Sequence, residues 1–419
     1  MADDLLIHEL GLTGDGIHQS EQGRVYIDRT LPGDSIRAKV RKTGGVLRGD
    51  LIEVVAHSPH RLTAPCQHYA VCGGCSLQHA TEEFYRNWKV EIVRVALERQ
   101  GLSPKIWHDP LFLPGGNRRR ATFAATKRNS TVRLGYFRRR SHDITDITSC
   151  LVLDPLILQL RLKLETALAP ALQEGKTVDV FVQSINGLSE VVITGPVGEK
   201  GVPDLQMHEA AADLVQASGI SRMSWRAREH DEAEVQIEIR PLQAKFGSLD
   251  VALPPLAFLQ PTLVGEHALV AAVMDVLPMT GKFADLFSGC GTFTGHMLER
   301  GSVDAYESVG PAIRALNKSK GAKSLNAVHR DLFRNPLGRD EASGYDALVF
   351  DPPRAGAEEQ VKELALSKIP RLVAVSCNPV TFARDARILV EGGYVLDSVK
   401  AVDQFTWSHH VELVAAFTK

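Results

Sequence analysis

The chain has 419 residues, of which 44% are hydrophobic and 23% are charged, and its formal net charge is −2. This length predicts two or three domains, and this composition is typical of a folded globular protein rather than a disordered or fibrous one. The first residues lack a basic region followed by a long apolar run, and no stretch approaches the roughly 20 apolar residues of a membrane span. We therefore expect a cytoplasmic protein without a membrane partner, whose cysteines are reduced unless a metal binds them. The net charge does not indicate nucleic-acid binding, which has to be sought in local segments.

The pattern of apolar residues divides the chain into three predicted domains. Residues 1–60 contain short alternating runs separated by glycines, which predicts a small β barrel. Residues 61–250 contain a loop with three cysteines, a helix that begins after Thr81 and stops at Gly101, and then mostly strands. Helices and strands alternate regularly over residues 251–419, which predicts a doubly wound sheet. The expected fold class is therefore α/β, with an N-terminal barrel and a central, mostly β domain.

A glycine-rich segment, "DLFSGCGTFTG" at residues 285–295, follows an apolar strand and opens a helix. Gly289 and Gly291 would allow the backbone to approach a ligand closely. In the dinucleotide-binding fingerprint the third glycine comes three residues after the second, but here Gly295 comes four residues after it. The segment therefore favours a single adenosine-type cofactor over NAD, while a turn that merely connects strand and helix is the alternative.

Acidic residues end the strands that follow the glycine segment. Glu307 ends the next predicted strand, where a carboxylate can accept hydrogen bonds from ribose hydroxyls, and Asp331 ends the third, near the adenine end. The fourth strand ends in "DPPRAG" at residues 351–356, whose two prolines stiffen the loop that carries Asp351. This series of acids is the one found in S-adenosylmethionine methyltransferases. A rigid turn with a solvated aspartate is the alternative for Asp351.

The segment "VAVSCNP" places Cys377 where a buried strand must end, because Asn-Pro cannot continue it. A thiol at this edge can add to carbon 6 of a pyrimidine and make carbon 5 nucleophilic toward a sulfonium methyl group. A base must then remove the proton from carbon 5. Glu412, among apolar residues of the last strand, is expected to have a raised pKa and to be that base, with His410 as a weaker candidate. The alternatives are a structural thiol at Cys377 and an exposed edge position for Glu412.

Four cysteines lie outside the predicted catalytic domain: Cys66, Cys72, Cys75 and Cys150. Thiolates at these spacings bind zinc or an iron–sulfur cluster. Zinc sites commonly show two C-x-x-C pairs, whereas this set has one, so the spacing favours a cluster over zinc. Four thiols without a metal are the remaining alternative.

The stretch 117–140 carries nine Lys or Arg residues and no acid, with Phe123, Tyr136 and Phe137 between them. Basic side chains contact phosphates, and aromatic side chains can stack on unpaired bases. The stretch therefore predicts an RNA-binding surface, with a solvated strand face as the alternative. A uridine within folded RNA would have to leave its stack to reach a buried thiol, which favours a target in a loop.

Four segments, "DLFSGCGTFTG", "DPPRAG", "SCNPVTFARD" and "HHVEL", together resemble the RNA 5-methyluridine methyltransferase family over essentially the whole chain. The N-terminal barrel resembles the TRAM module of that family, and the cysteine set resembles its iron–sulfur branch. The resemblance implies S-adenosyl-L-methionine as cofactor, a [4Fe-4S] cluster on the four cysteines, and 23S ribosomal RNA as the RNA partner. It implies Cys377 as the nucleophile and Glu412 as the base. It also implies a group of residues at the methyl donor or the target base: Gln260, Phe287, Glu307, Asp331 and Asp351.

Two positions depart from the family pattern. Thr262 replaces the asparagine of "FxQxN", and Thr292 replaces that of "GxGNF". Both can still form hydrogen bonds, so we expect the fold to be kept, with Thr292 at the donor site in an altered contact.

Several other functions remain open from the sequence. A tRNA 5-methyluridine methyltransferase or a non-catalytic RNA-binding protein could share this fold, although Cys377 and Glu412 argue against the latter. Formation of 5-methylcytidine is disfavoured because "DPPR" lacks a Pro-Cys. An iron–sulfur redox protein or NAD enzyme is disfavoured by the late third glycine and by the thiol. We expect a monomer.

Overall fold

The structure is a computed structural model that describes residues 3–319 and 324–419. Six strands make the N-terminal sheet: β1 (Asp3–Leu6), β2 (Glu9–Leu10), β3 (Gly16–Ser20), β4 (Gly23–Ile27), β5 (Ser35–Thr43) and β6 (Val46–Ala56). Their order is β1-β5-β6-β4-β3-β2. Because β1 and β2 are consecutive segments of one extended run, the two edges of the sheet meet and the sheet closes into a small barrel.

The next segment contains a helix and two short strands: α1 (Glu82–Glu98), β7 (Ile106–Trp107) and β8 (Leu111–Phe112). Thr81 caps α1, since its hydroxyl accepts a hydrogen bond from the Phe84 amide at 3.4 Å. The buried side chains of α1 include Trp88, Ile92 and Leu97, which form one apolar stripe.

The central domain is built on a seven-stranded sheet, covered on one face by two helices. In chain order its elements are β9 (Arg120–Arg128), β10 (Thr131–Phe137), β11 (Ile144–Thr145), α2 (Pro155–Ala167), β12 (Thr177–Ile185), β13 (Leu188–Thr194), α3 (Leu205–Ser218), β14 (Arg222–Arg226) and β15 (Glu234–Glu238). The strand order is β11-β10-β9-β12-β13-β14-β15. A hairpin of β16 (Gln243–Phe246) and β17 (Leu249–Ala252) leads to the C-terminal domain.

The C-terminal domain alternates strands and helices, as its periodicity predicted. Its elements are α4 (Leu263–Val276), β18 (Gly281–Leu286), α5 (Thr294–Met297), β19 (Gly301–Glu307), α6 (Gly310–Lys318), β20 (Leu325–His329), α7 (Arg339–Ala342), β21 (Ala347–Phe350), α8 (Glu358–Leu366), β22 (Arg371–Ser376), α9 (Pro379–Glu391), β23 (Val395–Asp403) and β24 (Glu412–Thr418). The strand order is β20-β19-β18-β21-β22-β24-β23, and β24 runs antiparallel to both of its neighbours. The order reverses between β18 and β21, which is where open α/β sheets bind ligands.

The segment of α1, β7 and β8 packs on the C-terminal domain, although the sequence placed it within residues 61–250. Strands β7 and β8 pair with β23, and the apolar stripe of α1 is buried in the same core as α9. An amphipathic pattern shows which face of a helix is buried but not which surface covers it. The division at residue 250 therefore does not describe how this segment is packed. Within the described ranges, no helix is long and apolar enough to span a membrane.

Candidate active site

A cavity of about 660 Å³ lies at the carboxyl ends of β18, β19, β21 and β22. Its wall includes seven of the eight catalytic and donor-binding residues predicted from the sequence: Gln260, Phe287, Thr292, Glu307, Asp351, Cys377 and Glu412. The eighth, Asp331, lies outside the wall. The parallel strands thus bring residues from distant parts of the sequence to one edge of the sheet.

Cys377 follows β22 directly, and its partly buried thiol lines the cavity. The strand stops here because the side chain of Asn378 caps α9. Burial raises the pKa of Cys377 to about 11, with further contributions from the carboxylates of Glu412 and Asp351, while Arg354 acts in the opposite direction. The resting side chain is therefore a neutral thiol that must lose a proton to become a nucleophile.

The loop after β21 is fastened to the first turns of α9. The carbonyl oxygen of Arg354 accepts hydrogen bonds from Asn378 Nδ2 at 3.0 Å and from Thr381 Oγ1 at 3.1 Å. A Cβ atom on Gly356 would lie 2.6 Å from Asp385 Oδ2, so only glycine fits where the loop meets the helix. These contacts explain why the segments "DPPRAG" and "SCNPVTFARD" occur together, since each fixes the backbone of the other.

A line of hydrogen bonds connects the two carboxylates of the cavity through two amides. Gln404 Nε2 donates to Gln260 Oε1 at 2.8 Å and lies 3.4 Å from Glu412 Oε1. Gln260 Nε2 in turn donates to Asp351 Oδ2 at 3.3 Å. Glu412 begins β24 and, with the two glutamines, is at least 95% buried. The carboxylates therefore have fixed partners within the protein.

Both carboxylates have raised pKa values. Burial raises the pKa of Glu412 to about 8, with a further contribution from Asp351, whereas Gln404, Arg120 and Arg354 lower it. Burial also raises the pKa of Asp351 to about 7. Near neutral pH this pair can hold a proton or accept one, which is the property required of a general base.

His410 was the weaker base candidate, and its surroundings disfavour that role. Its pKa is lowered to about 3, mainly by burial and also by electrostatic interaction with His409 and Arg354. Arg354 Nη2 donates a hydrogen bond to His410 Nε2, which occupies the lone pair that a base would use. The imidazole therefore positions the guanidinium of Arg354 at the cavity wall.

The glycine segment curves around the cavity and holds Glu307. Gly289 has φ of +55°, and a Cβ atom there would meet nothing within 4 Å, so the backbone faces open space. Its amide donates to Glu307 Oε2 at 2.9 Å. At Gly295, the third glycine of the segment, an added Cβ atom would lie 1.9 Å from the carbonyl oxygen of Phe246 in the β16–β17 hairpin. Its placement reflects packing rather than ligand binding.

Two phenylalanines form an aromatic corner beside the glycine segment. The rings of Phe287 and Phe333 have centroids 5.5 Å apart, and both line the cavity. Asp331 shapes the turn that carries Phe333, because Asp331 Oδ1 accepts a hydrogen bond from the Phe333 amide at 3.0 Å. Of the residues of this turn, the side chain of Phe333 lines the cavity, whereas Asp331 does not.

A second cavity, of about 340 Å³, is lined by all four cysteines outside the C-terminal domain: Cys66, Cys72, Cys75 and Cys150. All four are free thiols. The pKa of Cys75 is raised to about 12, mainly by burial; the other cysteines contribute to the rise, and a hydrogen bond with Gln78 opposes it. Among the described residues, no group of three or more His, Cys, Asp or Glu side chains is placed to hold a single metal ion.

The loop between β23 and β24 joins the two cavities. Lys89 of α1 is 1% exposed, and its ammonium donates to Asp403 Oδ1 at 2.8 Å and to the His410 carbonyl oxygen. On the other side, the amide of Ser76, next to Cys75, donates to the Trp407 carbonyl oxygen at 2.7 Å. Helix α1 and the cysteine loop thus hold the loop that leads to Glu412.

Residues 330–419 match the model of the family described as tRNA (Uracil-5-)-methyltransferase. Over 99% of its length the chain is 39% identical to an uncharacterized RNA methyltransferase of Brucella suis, of which it covers 97%. It is 30% identical to the 23S rRNA (uracil(1939)-C(5))-methyltransferase of Halomonas elongata, with 98% of this chain and 88% of that protein covered. The chain belongs to the RNA uracil-5-methyltransferase family.

The fold agrees with a solved structure of an RNA uracil-5-methyltransferase. The crystal structure of Pyrococcus abyssi tRNA (uracil-54, C5)-methyltransferase in complex with S-adenosyl-L-homocysteine matches with a TM-score of 0.75, at 22% identity and over 99% of both chains. The C-terminal domain therefore has the S-adenosylmethionine methyltransferase fold. The protein is an S-adenosylmethionine-dependent RNA uracil-5-methyltransferase.

Several residues that line the cavity of this RNA uracil-5-methyltransferase were not singled out from its sequence: Arg118, Arg120, Phe258, Phe333 and His409. The guanidinium of Arg120 lies 4.2 Å from the centroid of the Phe258 ring. The dense basic stretch contained Arg118 and Arg120, but no local pattern indicated that the stretch enters the active-site cavity.

The prediction that Phe123, Tyr136 and Phe137 can stack on RNA bases is wrong for Phe123, whereas Phe137 is exposed. Phe123 is fully buried in the core of the central domain, and the Tyr136 ring packs on it at 5.2 Å. In a strand, alternate residues face the core, so a basic and aromatic stretch divides between the two faces. Part of the basic stretch also has internal partners: Arg119 pairs with Glu266, and Arg140 pairs with Asp28 of the barrel.

Proposed function

We propose that the large cavity is the active site, where Cys377 adds to carbon 6 of a uridine in RNA and Glu412 removes the proton from carbon 5. The observation that carries this proposal is the thiol and a buried carboxylate of raised pKa lining one cavity with the glycine segment. A thiol, a base and a donor site are the three parts that this reaction requires.

The proposed reaction uses both residues in sequence. Cys377 loses its proton to solvent and bonds to carbon 6, and the electrons of the 5,6 double bond pass to carbon 5 and the adjacent carbonyl. S-adenosyl-L-methionine, when bound, would supply the methyl group that carbon 5 receives, and S-adenosyl-L-homocysteine would be the other product. The Glu412 carboxylate then accepts the carbon-5 proton, the carbon–sulfur bond breaks, the ring regains its double bond and the Cys377 thiolate is released. A carboxylate of raised pKa is a stronger base for that proton than an ordinary one.

We propose that the donor lies between the glycine segment and the aromatic corner. Ser288 Oγ is buried at the cavity wall without a hydrogen-bond partner among the described residues, which suits a polar ligand. Glu307 would accept from ribose hydroxyls, and the Phe287–Phe333 corner would pack on adenine. Thr292 and Gln260, also on this wall, would contact the amino-acid part of the donor.

Tritium release from RNA that carries tritium at carbon 5 of uridine tests the proposed chemistry. We expect Cys377→Ala to release none and Cys377→Ser to lose the covalent protein–RNA adduct, while Glu412→Gln accumulates that adduct. Unchanged affinity of each variant for S-adenosyl-L-homocysteine is the control for folding. Tritium release by Cys377→Ala at a rate near that of the native enzyme would overturn the assignment of the nucleophile.

We propose ribosomal RNA, specifically 23S rRNA, as the substrate. The support is the Halomonas relative at 30% identity and the presence of the four cysteines. The barrel is proposed to be a TRAM-like module that, with exposed residues of the 117–140 stretch, contacts RNA phosphates. Mass mapping of 5-methyluridine in rRNA and tRNA from a strain lacking the gene tests this proposal. Loss from tRNA alone would favour the tRNA alternative.

We also propose that Cys66, Cys72, Cys75 and Cys150 hold a [4Fe-4S] cluster. The four thiols line one cavity, yet no set of described side chains is placed to hold a single ion. Four thiolates on one zinc ion lie only about 3.8 Å from each other, given its tetrahedral bonds of about 2.3 Å. A [4Fe-4S] cluster is held by four cysteine thiolates, and the four cysteines of this cavity provide that donor set. When bound, it would fix the cysteine loop to the central domain. Equal molar iron and acid-labile sulfide in protein purified without oxygen is expected, and stoichiometric zinc would contradict the proposal.

For the whole chain we propose a monomer of three domains, at residues 1–60, 61–250 and 251–419, in the cytoplasm. The segment of α1, β7 and β8 is packed on the third domain. Light scattering of the purified protein, with and without RNA, tests the monomer.

A further inference from the structure

We propose that Gln404 is a positioning residue that holds Gln260 and Glu412 in the orientations required for donor binding and proton removal. The proposal rests on the assignment of Glu412 as the base. Gln404 follows β23 and is 4% exposed. Gln404 is not one of the predicted reacting groups, and it lies outside the sequence segments that indicated the reaction.

The hydrogen bonds of Gln404 determine the orientation of its neighbours. Its Nε2 atom carries two N–H groups, one toward Gln260 Oε1 at 2.8 Å and the other toward Glu412 Oε1 at 3.4 Å. Because Gln260 accepts through its oxygen, its own Nε2 must point the other way, toward Asp351 Oδ2 at 3.3 Å. One amide therefore fixes a second amide and a carboxylate.

The reverse orientation of Gln404 is disfavoured when Glu412 is ionised. If the Gln404 oxygen then replaced its nitrogen, with Gln260 as observed, that oxygen would face the oxygen of Glu412 and the oxygen of Gln260 with no hydrogen between them. In the observed orientation Gln404 Oε1 is buried with no partner among the described residues. A buried unpaired oxygen costs free energy, so the hydrogen bonds on the nitrogen side must offset that cost.

The protein also leaves space that only Gln404 fills. A Cβ atom on Gly265, in the first turn of α4, would lie 2.1 Å from Gln404 Oε1 and 2.9 Å from Gln404 Cβ. Any other residue at 265 would push Gln404 out of its place. Helix α4 therefore keeps a glycine where the amide of Gln404 packs.

Charged groups reach Glu412 from every element around it. Asp351 from the loop after β21 raises its pKa, and Arg120 from β9 and Arg354 lower it. Cys377 after β22 and Lys89 of α1 are the other ionisable groups within electrostatic range. The hydrogen bond that Gln404 donates to Glu412 stabilises the ionised carboxylate, and it therefore lowers the pKa that burial raises. Removing it should therefore shift proton removal by Glu412 to higher pH.

The experiment compares Gln404→Met and Gln404→Glu with the native enzyme, using the rate of tritium release as a function of pH. Met has nearly the same volume and no hydrogen bonds, so we expect its profile to move to higher pH by roughly half to one unit. Glu adds a third carboxylate and should move the profile further. We also expect KM for S-adenosyl-L-methionine to rise about 3- to 10-fold in both variants, since Gln260 loses its fixed orientation.

The matched control is Gln360→Met. Gln360 of α8 is 1% exposed and forms two hydrogen bonds with the Leu337 backbone, outside the cavity wall. This variant should lose stability but keep the pH profile of the native enzyme. A uniform decrease at every pH, an unchanged profile or a shift to lower pH in the two Gln404 variants overturns the proposal.

Glu412→Gln, measured in parallel, separates the two assignments. Normal tritium release by Glu412→Gln would remove Glu412 as the base. Loss of release there, together with an unshifted Gln404→Met profile, would overturn only the role of Gln404.

Discussion

The active-site cavity and the cysteine cavity are neighbours that share part of their walls, Gly74 and Arg118. In both, burial raises the pKa of acidic groups that face one another. The carboxylates of the active site are joined by two amides, and Gln404, Arg120 and Arg354 partly offset the effect of burial on the pKa of Glu412. Burial, followed by the other cysteines, raises the pKa of Cys72 and Cys75; a bound metal cation would favour their thiolate forms. The groups of the first cavity therefore suit the proposed proton transfer, and the thiols of the second suit the proposed cluster.

Glu412→Gln is expected to have the largest effect, and this effect should be confined to the active-site cavity. Loss of a general base should lower turnover about 10²- to 10⁴-fold, and adduct should accumulate. Iron content should not change, because the cysteine cavity is built by other residues. Glu190→Gln is the control: Glu190 is fully buried and paired with Arg222 in the central sheet, so it should affect stability but not the adduct. Loss of iron in Glu412→Gln would show that the two cavities are not independent.

Lys89→Met tests the loop that connects the cavities. The substitution leaves Asp403 buried without its cation, and breaking a buried pair costs about 3–5 kcal/mol. We expect a lower melting temperature, and heating should release bound donor and iron together. Lys362→Met is the matched control, because Lys362 is half exposed and its ion pairs on α8 contribute little. Equal melting temperatures for the two variants would contradict the role given to Lys89.

Cys150→Ser should alter the cysteine cavity, which Glu412→Gln is expected to leave intact. Iron should be lost, and RNA affinity should fall about 10-fold, or about 1.4 kcal/mol, because the cysteine loop is no longer held to the central domain. Affinity for S-adenosyl-L-homocysteine should stay within about twofold of the native value. Ser149→Ala, at the neighbouring position in the same cavity wall, should keep its iron. Full iron content in Cys150→Ser would remove this cysteine from the proposed ligand set.

The same comparison shows what the sequence can predict. Residues that end parallel strands, such as Glu307 and Cys377, could be located from local patterns because such strand ends meet at one edge of a sheet. The four cysteines also lie together, as their predicted shared site requires. No local sequence pattern indicates that Gln404 or Phe333 belongs to the site, because their roles depend on contacts between distant segments.

Other residues show why strand and helix patterns mislead. Phe123 was assigned to the RNA surface because the stretch around it is basic, but the phase of strand β9 turns it into the core. Lys89 lies on a predicted helix where a lysine is ordinarily solvated, yet it is buried against Asp403. In both cases the burial of the side chain depends on the surface that packs against its strand or helix. That surface is formed by residues that are distant in the sequence.

The smallest predicted effect concerns stability and pH. Burial raises the pKa of Glu412 to about 8 in the folded protein, against about 4.3 in an unfolded chain. Between these values the folded state holds a proton that the unfolded state has lost, so this stabilisation is complete below pH of about 4 and is lost as pH rises through about 8. Glutamine cannot ionise. The amount by which the melting temperature of Glu412→Gln exceeds that of the native protein should therefore be roughly 5 °C larger at pH 9 than at pH 5. Calorimetry at both values measures this difference. If the difference in melting temperature is the same at both pH values, Arg120 and Arg354 fully stabilise the ionised carboxylate. The charge of Glu412 would then not destabilise the fold.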